Sequence, residues 1–258
     1  TSAREKEMLR AIEHDAIVSD RDKLLSRIHP EAAANNPLYL RYTLLALSEK
    51  GELPNHLFAL NPSPDCFYFY RSKEQSHEYF NSFFYASLDI YNEAVRQAFE
   101  AALINEAGMN FRTLRLLTDW FLKMGNKPLT EKYLAILRHS TCHSAWIQRR
   151  EILLDELKQK QPLTPDKSKN DIFIGSYPFA IEMWELLNDD PDNLRKQEYF
   201  LCDLLLNKEL KQFETALSGL PYLQRKQPLP LCFQEALSIL YFQQISDIPD
   251  KYHLSHQL

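Results

Sequence analysis

SFFYASLDIYNEAVRQAFEAALINEAGMNFRTLRLLTDWFLKMG, residues 82–125, holds a helix end, a turn at Leu88-Asp89, a helix from Tyr91, a break at Gly108 and another helix to Gly125. Within it Ala94, Ala98 and Ala101 recur at spacings of four and three, which puts small side chains on one helix face. Small residues in that register let a second helix approach closely, as antiparallel pairs require. The rest of the chain reads as variations on this unit of helix, tight turn and helix.

Composition agrees with that reading. Of 258 residues, 45% are apolar and 25% charged, an ordinary globular balance with enough chain for a sizeable core. Only 5 glycines are present, while Leu, Ala, Glu, Lys and Gln are plentiful, which favours helices over a turn-rich β fold. The net charge of −5 is mild. The densest basic cluster, Arg149-Arg150, is followed at once by Glu151, Asp155 and Glu156, so nucleic acid is not an expected partner. Cys66, Cys142, Cys202 and Cys232 form no CxxC pair, which excludes zinc-ribbon and thioredoxin-type spacing. No apolar run approaches the roughly 18–20 residues of a membrane span. The opening TSAREKEMLR lacks a signal-peptide apolar region and an initiator Met, so a fragment of a longer chain is expected.

Along the chain the spacing predicts helices over 3–14 and through DRDKLLSRI with Pro30 as its stop, AAANNP as a connection, and a helix over Leu38–Lys50 closed by Gly51. A short helix follows near Asn55–Leu60. The aromatic stretch from Phe67 to Tyr85 leads into a helix from about Lys73 to Leu88. Helices over Tyr91–Glu106, Asn110–Lys123, LTEKYLAIL and STCHSAWIQRREILLDELKQ come next. The polar linker PLTPDKSKND gives a sub-boundary at 162–171, between repeat-like pairs in 1–161 and further helical pairs in 172–258. The halves expose wide apolar faces (Trp146, Ile147, Leu153 and Leu154 before the linker; Phe179, Ile181, Trp184 and Leu187 after it), so 1–258 is expected to fold as one domain. A protease is expected to nick it between Leu163 and Asp171.

Turn residues at Asp15, Gly51, Asp89 and Gly125 lie 36, 38 and 36 apart. Ser82, Tyr85, Ala94 and Ala101, then Leu114, Leu117, Phe121 and Gly125, resemble the small and aromatic positions of tetratricopeptide repeats. The expected fold is therefore all-α, antiparallel helix pairs in a tetratricopeptide-like α-α superhelix. SLDIYNEAVRQAFEAAL, KPLTEKYLAILRHSTCHSAW, EYFLCDLLLNKELKQFETAL and LPLCFQEALSIL resemble the C-terminal soluble part of an uncharacterised family of Bacteroidales membrane proteins. That resemblance implies a soluble segment of a membrane-anchored cell-envelope protein. It implies no activity.

Candidate chemistry is sparse. His139 and His143, beside Cys142, are four apart on an expected helix, but Ser140 and Thr141 stand where a HExxH motif carries Glu, and no third ligand follows by spacing. His253 and His256 in the tail say less. Asp189, Asp190 and Asp192 in NDDPDN lack an EF-hand ladder and read as a turn capping the next helix. Asn92, Glu93 and Arg96 read as a solvated face, and Asp155-Glu156 point in different directions. No GxSxG, P-loop or dinucleotide fingerprint occurs. No catalytic, cofactor-binding or metal residues are assigned. The function expected is a non-catalytic scaffold that binds a protein or peptide partner. The alternative is an enzyme module near the aromatic cluster at 67–85, beside His77 and Glu78.

Overall fold

The computed structural model describes residues 3–67, 74–104, 108–140, 143–159, 179–225, 227–242 and Tyr252. Among these residues there are helices and no strand. The protein is all-α. The expected linker at 162–171 with its protease site, Cys142, His253, His256 and residues 68–73 of the aromatic stretch lie outside the described residues. The chain groups into two compact units, Thr1–Phe69 with Gly175–Leu258, and Tyr70–Ile174.

The first unit holds α1 (Ala3–Ile17), α2 (Arg21–Arg27), α3 (Pro30–Asn35), α4 (Pro37–Lys50) and α5 (Leu53–His56), together with α11 (Phe179–Asp189), α12 (Leu194–Leu206), α13 (Leu210–Gly219) and α14 (Leu231–Leu240). Its core is built on α4 and α12. Leu38–Ser48 of α4 and Lys196–Leu206 of α12 are buried on every side, as a central helix must be when neighbours cover its whole circumference. α1, α2 and α3 pack on α4, α11 and α13 flank α12, and α12 touches both α4 and α5. Phe67 joins the two chain segments: its ring stacks on Phe179 at 5.3 Å and meets Tyr199 edge-on at 5.2 Å.

Pro30 does not simply end α2. It opens α3 at a position where its missing N–H costs nothing, so the expected connection AAANNP (32–37) is helical through Asn35. Asn36 then caps α4, its Oδ1 accepting from the N–H groups of Leu38 and Tyr39. The short helix expected near 55–60 splits into α5 and a 3-10 turn over Phe58–Leu60.

The second unit runs α6 (Gln75–Ser87), α7 (Tyr91–Ile104), α8 (Phe111–Lys123), α9 (Lys127–Leu137) and α10 (Ser144–Gln159), each helix packed on the next and α10 also touching α8. Ala94, Ala98 and Ala101 of α7 have no exposure at all. Ser82 Oγ–H donates to the Ala94 carbonyl at 2.7 Å and accepts from Trp120 Nε1–H at 2.9 Å, tying α6, α7 and α8 at one point. The α8–α9 hairpin repeats the α6–α7 hairpin 36 residues on. Thr118 matches Ser82, Phe121 matches Tyr85, and Thr130, Leu134 and Leu137 match the three alanines, all of them buried.

One turn geometry joins helices in both units. Ser19, Gly51, Asp89, Gly125 and Lys208 are left-handed, with φ between 60° and 71°. The N–H after each donates to the carbonyl five residues back, at 2.8–3.0 Å, and the next helix begins one residue later. This is the Schellman closure, which satisfies carbonyls that a helix end leaves free. Asp15 is therefore not the first turn residue. It lies inside α1, wholly buried, and accepts from Arg27 Nε at 2.7 Å; the turn comes four residues later, at Ser19.

Candidate functional site

In the first unit α11 is apolar on two sides. Phe179, Met183, Leu186 and Leu187 follow helical spacing into the core, which leaves Ile181 and Trp184 pointing outward, 46% and 48% exposed. The Trp184 ring lies 5.7 Å from Phe200 of α12. Along α13, Thr215, Ala216 and Gly219 leave little side-chain bulk, and with Gln212, Leu220 and the two rings they line a groove of about 370 Å³. Lys211 is the one charged residue in that lining. The groove thus offers an apolar slot for one or two large side chains, with a cation at its rim.

Polar groups of the same unit sit in its core. Glu198, 1% exposed, accepts from Tyr222 Oη–H at 3.4 Å and lies 3.6 Å from Arg225, whose guanidinium covers the Tyr222 ring. Burial pushes the Glu198 carboxyl up to about 7, with Arg225 and the tyrosine pulling the other way. Asp203 is likewise raised to about 7 by burial, with the Glu209 charge adding to it. Cys66, Cys202 and Cys232 are free thiols. Burial raises Cys66 and Cys232 to about 12, which leaves almost no thiolate.

The residues nominated from sequence are scattered. α9 ends at Leu137 and α10 begins at Ser144, so His139 and His143 lie in a connection and not four apart on one helix. His143 stacks on Phe111 at 3.5 Å, while His139 is exposed. Among the described residues no group of three His, Cys, Asp or Glu side chains is placed to hold a metal. NDDPDN is a capping turn: Asn193 Oδ1 accepts from the Lys196 N–H, its Nδ2 donates to Asp190, and Lys196 Nζ reaches the same carboxylate at 3.3 Å. In the aromatic stretch, Phe67 serves the first unit's core, while Tyr79 Oη bonds Thr113 Oγ1 at 2.6 Å within the second. His77 Nε2 is 3.8 Å from Glu74, and Glu78 is buried and accepts from Asn81 Nδ2.

Glu93 corrects the expected solvated face. It is 3% exposed, forms a bidentate pair with Arg96, and accepts from Gln97 Nε2 at 2.7 Å; Gln97 in turn accepts from Asn81. α6 covers that side of α7, which the pattern of α7 alone does not reveal.

The model of a family of unknown function (DUF6057) matches residues 3–257, nearly the whole chain. The chain belongs to that family. No curated protein and no solved structure matches it. The DUF6057 match spans the residues of both units, without assigning chemistry to either. Among the described residues of this DUF6057 chain, no helix is long and apolar enough to cross a membrane.

Trp184 was expected on one wide apolar face with Phe179, Ile181 and Leu187. The spacing of Phe179, Met183, Leu186 and Leu187 already sets it on another side of α11, and that was the available signal. Glu198 had no such signal, because its burial depends on Tyr222 and Arg225, which lie beyond the following helix.

Proposed function

We propose that the chain is a non-catalytic helical scaffold that holds a protein or peptide partner in the groove lined by Trp184 and Phe200. The half-exposed indole at the mouth of an apolar slot is the observation that carries this reading. The occupant is a partner segment that inserts a large apolar side chain over Thr215, Ala216 and Gly219 and brings a carboxylate to Lys211. The small floor gives it room, and the lone cation sets its charge.

The finer fold and setting belong to the same proposal. The hairpins offset by 36 residues, with identical left-handed closures at Asp89 and Gly125, support a tetratricopeptide-like repeat. The sequence resemblance supports a soluble segment of a membrane-anchored Bacteroidales protein.

A displayed peptide library panned on the full chain tests the binding claim. Selected peptides should share an aromatic or aliphatic anchor next to Asp or Glu. Occupancy that covers the exposed half of the Trp184 ring, on the order of 100 Å², is worth about 2 kcal/mol, so Trp184→Ala should weaken these peptides roughly 30-fold. Selected peptides that bind Trp184→Ala as tightly as the parent chain would refute the groove as the site.

A further inference from the structure

In the second unit, α8 and α10 bring two guanidinium groups to one indole. Trp146 of α10 is 7% exposed. Arg115 Cζ of α8 lies 5.2 Å from its ring centroid and Arg150 Cζ of α10 lies 4.8 Å from it, both within cation–π range. Two donors here have no acceptor: the buried Trp146 Nε1–H and the Arg115 Nε–H. Buried donors are nearly always bonded, and two unbonded ones at a single ring ask for an acceptor from outside the fold.

The charges ask for the same thing. Asp119 of α8 is the carboxylate at hand, and Arg150 holds it with Nε at 2.7 Å and a second nitrogen at 3.3 Å. Arg150 is thereby neutralised, and Arg115 keeps a surplus positive charge with Arg149 as a further cation nearby. Burial, then the like charges of Arg150 and Arg149, lower the Arg115 pKa against the pull of Asp119. Arg115, the cation at the ring that Asp119 does not hydrogen-bond, supplies one guanidine N–H beside the indole N–H, and together they match a carboxylate with two acceptor oxygens.

We infer that this corner of the second unit is a carboxylate-binding site, completed by the side chain or chain end of an acidic peptide segment seated against Arg115 and Trp146. It goes beyond the groove of the first unit and stands on different residues, so either can fail while the other holds.

Calorimetric titration of the full chain with a hexaglutamate peptide at low salt tests it. Hexaglutamate should bind saturably, and Arg115→Met should weaken it at least tenfold. Arg138→Gln, which removes an exposed cation paired with Glu151, should change it less than twofold. Without peptide, Arg115→Met should melt at or above the parent temperature, because it removes a half-buried charge crowded by Arg149 and Arg150 while Asp119 is bonded to Arg150. Arg115→Lys keeps the charge but loses the Nε donor and should weaken binding at least threefold, which keeps the test open should Arg115→Met fail to fold. Absence of saturable binding, binding indifferent to Arg115, or a lower melting point for a folded Arg115→Met would overturn the assignment. So would Arg115-dependent binding of inorganic phosphate or phosphatidylglycerol vesicles in place of hexaglutamate.

Discussion

Replacing Ser82 with Ala tests whether the seam of α6, α7 and α8 is held by one hydroxyl. Ser82 is fully buried, and its Oγ makes two hydrogen bonds, donating to the Ala94 carbonyl at 2.7 Å and accepting from the Trp120 indole at 2.9 Å. Alanine fits the space, so the loss is polar and not steric. Two bonds at about 1 kcal/mol each give a destabilisation of roughly 2 kcal/mol. Trp120→Phe removes the indole donor while keeping a ring against Phe83 and Tyr91. In the double variant the bond to Trp120 has already gone, so the two effects should fall short of additivity by about 1 kcal/mol. Urea unfolding followed by helical circular dichroism measures all four corners of the cycle. A loss below about 0.5 kcal/mol for Ser82→Ala, or additivity within about 0.3 kcal/mol, would refute the reasoning.

Glu198 titrates near 7 in the folded chain and near 4.3 when unfolded, so between roughly pH 4.5 and 7 the folded state holds the proton that the unfolded state releases. Its contribution to stability is therefore present at low pH and lost as pH rises through about 7; Asp203 acts with the same sign, and Glu198→Gln should be stabilising at pH 8 by a margin that shrinks towards pH 5 in urea midpoints. Lys208 holds φ +61° without being glycine, so Lys208→Gly should gain about 0.5 kcal/mol, whereas Gly125→Ala, at φ +69° with open space around it, should lose about 1 kcal/mol by thermal denaturation. Asn193→Ala removes the cap of α12 and its tie to Asp190, and should cost about 1 kcal/mol in the same assay.

Helix placement was legible wherever a local cause sets it. Gly51, Asp89 and Gly125 announce left-handed closures because glycine and aspartate reach that region at low cost. Ser19 and Lys208 adopt the same closure with residues that do not advertise it, which is why the first turn was expected at Asp15. Pro30 reads equally well as a stop and as a first helical residue, and only the start of α3 decides between them. Burial was less legible, since it depends on what arrives from elsewhere in the chain. Glu93 is covered by α6, Glu198 by Tyr222 and Arg225, and the whole circumference of α12 by α4, α5, α11 and α13. The grouping of Thr1–Phe69 with Gly175–Leu258 is likewise long-range, carried by contacts such as Phe67 on Phe179 that no spacing rule reports. At the groove, the small residues Thr215, Ala216 and Gly219 were visible in sequence, but Trp184 and Phe200 meet them only through the packing of α11 and α13 on α12.

The proposal that the first unit holds its partner at Trp184 is tested most directly by fluorine magnetic resonance of the chain labelled with 5-fluorotryptophan. Its three tryptophans report separately on the α6–α7–α8 seam (Trp120), the arginine-flanked site (Trp146) and the groove (Trp184). Titration of the Arg115→Met chain, which lacks the second site, with a library-selected peptide should move the Trp184 resonance to saturation at one equivalent and leave Trp120 and Trp146 in place. A peptide that binds while Trp184 stays still, or that moves Trp120 or Trp146 instead, would contradict the account.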